Sequence, residues 1–436
     1  MNKILKIKDL SAHIGEVVSI CGWVDAIRNQ KKRQFLILRD NSGLVQIIHE
    51  KEGGEILAVA LSNLTPESTV EITGTIVKNE VVKLGQIELV LKAINVLTIA
   101  KSPLPINENA AQENRLDWRF LDLRSQKNRL IFQLQTIAEH AMRNFWREHD
   151  FIEIHSPKFM ETASESGAEL FKVEYFGRTA YLAQSPQFYK QMAMVAGFDR
   201  IFEIGPVFRA NPSFTSRHDT EFTSVDVEFS WIKSHEDVMR LEEEWLLYIL
   251  TFIKAELGSE IKRLYGMDVT IPKLPFPRVT MEEAYAILAS KGHVVNRADK
   301  GDLDPEGERV LARHIKKKFG HDFVFVTEYP VSVRAFYHMR YEDNPGLTKS
   351  FDLLWNGLEV TTGAQREHRY GILVQQAKEK GFSLEPLQHY LDFFKYGCPP
   401  HGGYGFGLTR MLMILLGLKN VREVTYLYRG PNRLSP

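Results

Sequence analysis

Residues 101–109, KSPLPINEN, separate two stretches whose apolar residues recur with different periods. Before this segment the period is two, as in a half-buried strand, where successive side chains point to opposite faces. VVSICGWVDAIR (17–28), QFLILRD (34–40), LVQIIHE (44–50), STVEITGTIVK (68–78) and QIELVLKAINVLTI (86–99) predict five strands. NSG at 41–43 is a hairpin turn signal, and EGGEILAVALSNL predicts a helix between the third and fourth strands. Five strands with an inserted helix suit a small Greek-key barrel of the oligonucleotide-binding kind over residues 1–100. The prolines and polar residues that follow make 101–125 a linker, and 126–436 a second domain.

Past that linker the period lengthens. NRLIFQLQTIAEHAMRNFWREH places Ile131, Leu134, Ile137, Ala141 and Phe145 on one helical face. FIEIHSPKF (151–159) reads as a strand stopped by Pro157, and ELFKVEYFGRTAYLAQ as two strands around Gly177. DRIFEIGPVFRA and EFTSVDVEFSWI form another pair, Ser234 caps a long helix, and FVFVTEYP and GLEVTTG are further strands. GYGFGLTRMLMILLGL is a glycine-rich lead-in to a buried helix. The predicted class is α+β, with one large antiparallel sheet flanked by helices.

Composition narrows the function. Lys+Arg and Asp+Glu are both 55, so a polyanion site has to be a local patch. Cys21 and Cys398 lack metal-ligand spacing, which points to a reducing compartment. MLMILLGL at 411–418 falls far short of the ~20 residues needed to cross a bilayer. The N-terminus has no signal-peptide pattern, so the expectation is a cytoplasmic protein without membrane association.

One such patch is FRANPSFTSRHDTEF (208–222), where Arg209, Arg217 and His218 lie on a polar turn with few acids nearby. In EFTSVDVEFSW, alternation puts Val225, Val227, Phe229 and Trp231 on one face and Ser224, Asp226, Glu228 and Ser230 on the other. An apolar face and an acidic face flanked by arginines suit the floor of a polar site, although a half-solvated sheet with a basic turn explains the hairpin alone. AQSPQFYKQ adds Gln184, Gln187 and Lys190; SFDLLWNGLEVTTGAQREHRY adds Glu359, Thr362, Gln365 and Arg366. PPHGGYGFGLTR sets Gly403, Gly405 and Gly407 before Arg410 at a helix start, where backbone N–H groups favour an anion. Arginine is the usual clamp for phosphates and carboxylates.

These segments resemble, in order, the three motifs of the class II aminoacyl-tRNA synthetases, over nearly the whole chain. FIEIHSPKF is similar to motif 1, the stretch at that family's dimer interface. FRANPSFTSRHDTEF with its strand is similar to motif 2, and GYGFGLTR to motif 3. The barrel resembles the OB-fold anticodon-binding domain of the aspartate, asparagine and lysine subgroup. The resemblance implies ATP as a substrate held by Arg209, Asn211, Arg217, His218, Asp219, Glu359, Gly407 and Arg410. Arg209, Arg217, Glu359 and Arg410 carry its catalysis, and Mg²⁺ is assigned to Glu359 and Thr362. Strict strand alternation sets those two on opposite faces, so a bulge or strand end has to intervene if both contribute.

Within the subgroup, Lys190 in QSPQFYKQ is similar to the lysine that reaches the substrate carboxylate in aspartate enzymes, and Arg366 is assigned to the same group. Asp226 receives the α-ammonium, Glu165 belongs to a closing loop, and Gln187 and Thr362 complete the aspartate site. The pattern is similar to that of the archaeal-type aspartate enzymes, some of which charge tRNA-Asn as well as tRNA-Asp. In the barrel, Phe35, Gln46 and Glu88 match residues that read the anticodon, although Phe35 also fits a simple core position. The family implies a homodimer. Three positions depart from its pattern: Asn211 and Thr409 each stand where glutamate is usual, and YRGPNRLSP lacks the usual acid after the arginine. The rival readings are an asparaginyl-tRNA synthetase, an amide ligase making asparagine, and an inactive RNA-binding paralogue.

Overall fold

The computed structural model describes residues 4–52, 54–162, 169–212, 215–295 and 301–436. It divides into two compact units, Met1–Asn114 and Arg115–Pro436. In the first, strands β1 (Ile4–Leu5), β2 (Val17–Asn29), β3 (Arg33–Arg39), β4 (Leu44–Glu50), β5 (Thr69–Lys78) and β6 (Ile87–Thr98) form a sheet of order β1-β2-β3-β4-β6-β5. An additional β2–β5 pairing closes it into a barrel. Val18, Ile20, Leu36, Leu38, Val45, Ile47, Ile72 and Leu89 fill its interior. Each long strand therefore has an inner apolar face and an outer face that can be read. The Glu55–Ser62 helix lies between β4 and β5.

The second unit holds β7 (Ile152–Glu153), β8 (Phe159–Met160), β9 (Lys172–Tyr175), β10 (Arg178–Leu182), β11 (Arg200–Phe208) and β12 (Glu221–Ser230). It continues with β13 (Arg278–Thr280), β14 (Phe323–Thr327), β15 (Ser350–Trp355), β16 (Leu358–Gln365) and β17 (His401–Gly407). Among the described residues eight strands form one sheet, β13-β14-β15-β16-β17-β12-β11-β7, and β8-β10-β9 form a small one. The large sheet is antiparallel through its centre and parallel only at its two outer pairings. The parallel pairing of β13 with β14 follows from the two helices, Met281–Ser290 and Pro305–Phe319, that the chain crosses between them.

One face of this sheet is apolar. Val225, Val227, Phe351, Leu353, Tyr404 and Phe406 pack with Trp146 of the Gln126–Glu148 helix and Trp245 of the His235–Tyr265 helix. The two tryptophan rings stack 5.1 Å apart, and Trp245 meets Phe406 edge-on. At ~1.5–3 kcal/mol per large side chain, this layer is what holds the sheet in place. Both helices start on serine caps, at Ser125 and Ser234, the second with a full capping box closed by Asp237.

Two strand expectations need correction. The 151–159 stretch is not one strand, because the Ser156 N–H bonds to Glu203 Oε1 instead of a neighbouring strand and Pro157 has no N–H. Trp231 leaves the Val225 face: β12 ends at Ser230, Trp231 takes φ 64°, and its ring is 70% exposed. Among the described residues no helix is long and apolar enough to cross a membrane.

Candidate active site

The opposite face of the large sheet floors a cavity of about 380 Å³. Register explains its shape. Asp226 pairs with Gly405, Gly405 with Thr362, and Thr362 with Asp352, giving a row with acids at the ends and a glycine between. In the next row Glu228 lies against Gly403. A Cβ on Gly403 would sit 2.5 Å from Glu228 Oε2, and one on Gly405 3.3 Å from Asp226 Oδ1. The motif 3 glycines are thus strand residues that leave the floor open. Only Gly407, the N-cap of the Leu408–Leu416 helix, stands where the sequence reading put all three.

Lys190 and Arg366 converge on this floor. Lys190, on the Gln187–Val195 helix, is 1% exposed, and its Nζ donates to Asp226 Oδ1 at 2.8 Å and to Tyr404 O at 3.3 Å. It also lies 3.5 Å from Glu228 Oε2. Arg366 grips the same Glu228 through Nε at 3.0 Å and Nη2 at 3.3 Å, and donates to Gly403 O at 3.0 Å. Burial alone would raise the Glu228 pKa, but Arg366 and Lys190 outweigh it and hold the carboxyl below its ordinary value. Ser224 donates to the second oxygen of Asp226 at 2.6 Å.

At the other end of the cavity lie Arg209, Arg217, His218, Glu359 and Arg410. Arg209 donates to Gln184 O at 3.4 Å, and its guanidinium sits 5.4 Å from the centre of the Phe222 ring. Arg410 reaches Glu359 O at 2.6 Å and Glu359 Oε1 at 3.3 Å. Burial pushes Glu359 up, but Arg410, Arg334 and Arg209 outweigh it and the net direction is down. His218, whose Nδ1 lies 2.6 Å from Thr215 Oγ1, is shifted down by burial and by Arg410 and Arg217. Burial pushes Asp219 up to about 7 despite its bond from Thr425. Asn211 and Thr409 also line the cavity.

Of the two irregularities that the spacing of Glu359 and Thr362 allowed, a bulge or a strand end, the structure has a bulge. Leu353 pairs with Thr361 and Leu354 with Glu359, so Val360 is the extra residue. It turns both side chains to the cavity, where Thr362 Oγ1 lies 3.3 Å from Glu359 Oε1. These hard oxygen donors fit Mg²⁺, which takes one or two carboxylates and otherwise relies on phosphate and water. Among the described residues no group of three or more His, Cys, Asp or Glu is placed to hold a metal ion.

Gln187, Lys190, Asp226, Thr362 and Arg366 line the same cavity as Arg209, Asn211, Arg217, His218, Asp219, Glu359, Gly407 and Arg410. Glu165 lies outside the described residues. Glu228, Arg334, Tyr337, His338 and Glu308 carry no role in the sequence reading, yet all sit in or against the site. Alternation had already placed Glu228 on the polar face with Asp226, but without a role. The segment carrying Arg334, Tyr337 and His338 forms only isolated bridges and has no period to read. Arg217 does have an acidic partner: Glu308 of the Pro305–Phe319 helix, at 2.8 Å. In the barrel, Gln46 and Glu88 are register partners joined at 3.0 Å, and Phe35 is part-exposed on the same outer face, not in the core.

Comparison with known proteins fits this two-unit arrangement. Residues 111–429 match the model of class II tRNA synthetases (D, K and N), and residues 18–97 that of the OB-fold nucleic acid binding domain. The chain belongs to the class II tRNA synthetase family of the D, K and N group. It is 42% identical over 430 residues to an aspartate–tRNA(Asp/Asn) ligase of Aeropyrum pernix, covering 97% of this chain and 96% of that protein. It is 43% identical over 429 residues to an aspartate–tRNA(Asp/Asn) ligase of Methanopyrus kandleri, with coverage of 97% and 96%. Among solved structures, the Pyrococcus horikoshii asparaginyl-tRNA synthetase complexed with asparaginyl-adenylate matches with TM-score 0.91 and 32% identity over the whole of both chains.

The Arg217–Glu308 contact gives a stability prediction. Burial outweighs Arg217 and pushes Glu308 up to about 7 from 4.5. The folded state then binds this proton more tightly than the unfolded one, so the contribution is full below pH 4.5 and is lost as pH rises toward 7. Glu308→Gln removes the loss. Relative to the native chain it should be more favourable at pH 8 than at pH 5 by about 2–3 kcal/mol in urea unfolding. An identical difference at both pH values contradicts this.

Proposed function

We propose that the chain activates L-aspartate with ATP and transfers it to the 3′ end of tRNA-Asp, the tRNA-Asn acceptor being the second candidate. The observation that carries the amino-acid choice is Lys190, buried at the cavity floor beside Arg366 with two carboxylates around it. An ammonium is placed there at a desolvation cost that an amide-bearing substrate does not call for. A substrate carboxylate entering between Lys190 and Arg366 gains two cations already held in position. Asp226 offers its carboxylate to the substrate ammonium.

In this reading one oxygen of the substrate's α-carboxylate, not of the side-chain carboxylate held by Lys190 and Arg366, forms a bond to the α-phosphorus as the bond to the bridging oxygen breaks, and pyrophosphate departs. Arg209 stabilises charge on the α-phosphate, while Arg217, His218 and Arg410 hold the leaving group. Arg217 has to exchange Glu308 for phosphate to do so. Asn211, Asp219 and Gly407 line the nucleotide end. Glu359 and Thr362 would hold Mg²⁺, which would supply Lewis-acid neutralisation of phosphate oxygens. The protein's own part is positioning and electrostatic stabilisation, without a protein nucleophile.

Aspartate-dependent ATP–pyrophosphate exchange tests the activity, and charging of purified tRNA-Asp and tRNA-Asn side by side tests the acceptor. A chain that exchanges with asparagine alone is the asparaginyl enzyme that the structural likeness also allows. Lys190→Leu should lower kcat/KM for aspartate about 10²–10³-fold or more, equivalent to ~3–5 kcal/mol, with little change for ATP. Near-normal aspartate kinetics in that variant remove the reason for choosing aspartate.

The barrel's outer face, with Phe35 beside the linked Gln46 and Glu88, suits stacking on and edge contact with an unpaired anticodon base. Phe35→Ala should therefore cut tRNA charging about tenfold or more while pyrophosphate exchange holds. Equal loss of both speaks against the assignment. We also propose a cytoplasmic homodimer, supported by Ile152 and Phe159, apolar residues of the motif 1 segment that are 47% and 54% exposed. Sedimentation at micromolar concentration should find a dimer, and a monomer there removes the proposal.

A further inference from the structure

Gln187 lines the cavity, but its orientation is set by groups that do not. The hydrogen bonds start from a main-chain carbonyl, which can only accept. Pro399 O lies 2.8 Å from His401 Nδ1, so that nitrogen carries the proton. The Cys398 thiol, 3.6 Å from the same nitrogen, is a weaker competitor. Burial pushes the His401 pKa down to about 4, so the ring is neutral at physiological pH. Its Nε2 is then an acceptor, and the Gln191 amide 3.1 Å away has to present NH₂ to it. Gln191 Oε1 consequently turns the other way, accepting from the Tyr390 hydroxyl at 2.9 Å and from Gln187 Nε2 at 3.0 Å.

This commits both ends of Gln187. One N–H of its NH₂ is donated to Gln191 Oε1, and among the described residues its Oε1 accepts no hydrogen bond. Gln191, Tyr390 and His401 are each at most 3% exposed, so water has little access to reverse the pattern. With the proton on His401 Nε2 instead, every amide in the chain would flip and Gln187 would offer a donor.

We propose that His401, Gln191 and Tyr390 are positioning residues that hold the Gln187 amide with its oxygen toward the cavity, as an acceptor for the substrate α-ammonium. This rests on the reading of the cavity as an amino-acid site. The three residues act through Gln187 and touch neither substrate nor nucleotide.

Nitrogen-15 NMR of histidine-labelled native protein, with His401 assigned by the signal lost in His401→Asn, reads the tautomer directly. Protonated Nδ1 with bare Nε2 at neutral pH is the expected result; protonated Nε2, or an imidazolium, overturns the proposal. In pyrophosphate exchange, His401→Leu frees Gln191 to flip and should raise KM for aspartate about tenfold while KM for ATP moves less than about twofold. Gln191→Met should give the same split and serves if His401→Leu does not fold. An unchanged KM for aspartate, or a joint rise in both constants as from general loosening, overturns the proposal. If the native protein shows no aspartate-dependent exchange, it is the functional reading that fails, and the NMR result still decides the direction of the hydrogen bonds.

Discussion

A carboxylate with no exposure at all, Glu228, sets the terms for the rest of the catalytic unit. An unpaired charge at that depth would cost several kcal/mol, so the fold is stable only if cations reach it. They come from two directions: Lys190 from the Gln187–Val195 helix and Arg366 from the end of β16. Docking that helix on the sheet and assembling the pocket floor are therefore the same event. The requirement extends to the neighbouring strand, where a Cβ at Gly403 would lie 2.0 Å from Val227 O as well as against the carboxylate. The motif 3 glycines are needed by a sheet that has to keep charged side chains and an empty volume on one face.

The other face is also involved in placing the site. Glu242, on the His235–Tyr265 helix, is fully buried beneath β16 and accepts from Thr361 Oγ1. Burial pushes its carboxyl up to about 8, so it is held protonated at neutral pH and adds no charge to the apolar layer. Thr361 follows Val360, the extra residue of the bulge, and precedes Thr362. The hydrogen bond beneath the sheet thus anchors the strand at the point where Glu359 and Thr362 turn to the cavity. A bulge is otherwise a locally weakened pairing.

Much of this was legible in the sequence, for identifiable reasons. The barrel strands and the Gln126–Glu148 helix are long and periodic, and burial follows the period. The alternation around Asp226 gave the polar face correctly up to Ser230, and the mismatch between Glu359 and Thr362 pointed to a bulge or a strand end, of which the structure has the bulge. Trp231 escaped because alternation says nothing of where a strand ends. Arg334, Tyr337 and His338 escaped because an irregular segment has no period. Glu308 lies on the Pro305–Phe319 helix, which the sequence reading did not mark, and only its folded position shows that it faces Arg217. The sequence marked the groups that would line a cavity, while their pairing depended on long-range contacts.

That pairing gives the cavity a direction. At one end, two cations are balanced by two carboxylates, Asp226 and Glu228, and the groups are held by short, buried contacts. Such a place suits a small zwitterion whose own charges exchange with those present, because nothing is left uncompensated when it enters. At the other end the arginines outnumber the acids that touch them: Arg209, Arg217 and Arg410 face Glu308 and Glu359. Their contacts there include a main-chain carbonyl and an aromatic ring, both easily exchanged for a stronger anion. The two sets of contacts therefore differ in kind: Lys190 and Arg366 are closed onto Asp226 and Glu228, while among the described residues the Arg209 side chain holds a main-chain carbonyl and an aromatic ring. Thr362 and Glu359, one bulge apart, lie side by side on the same cavity wall.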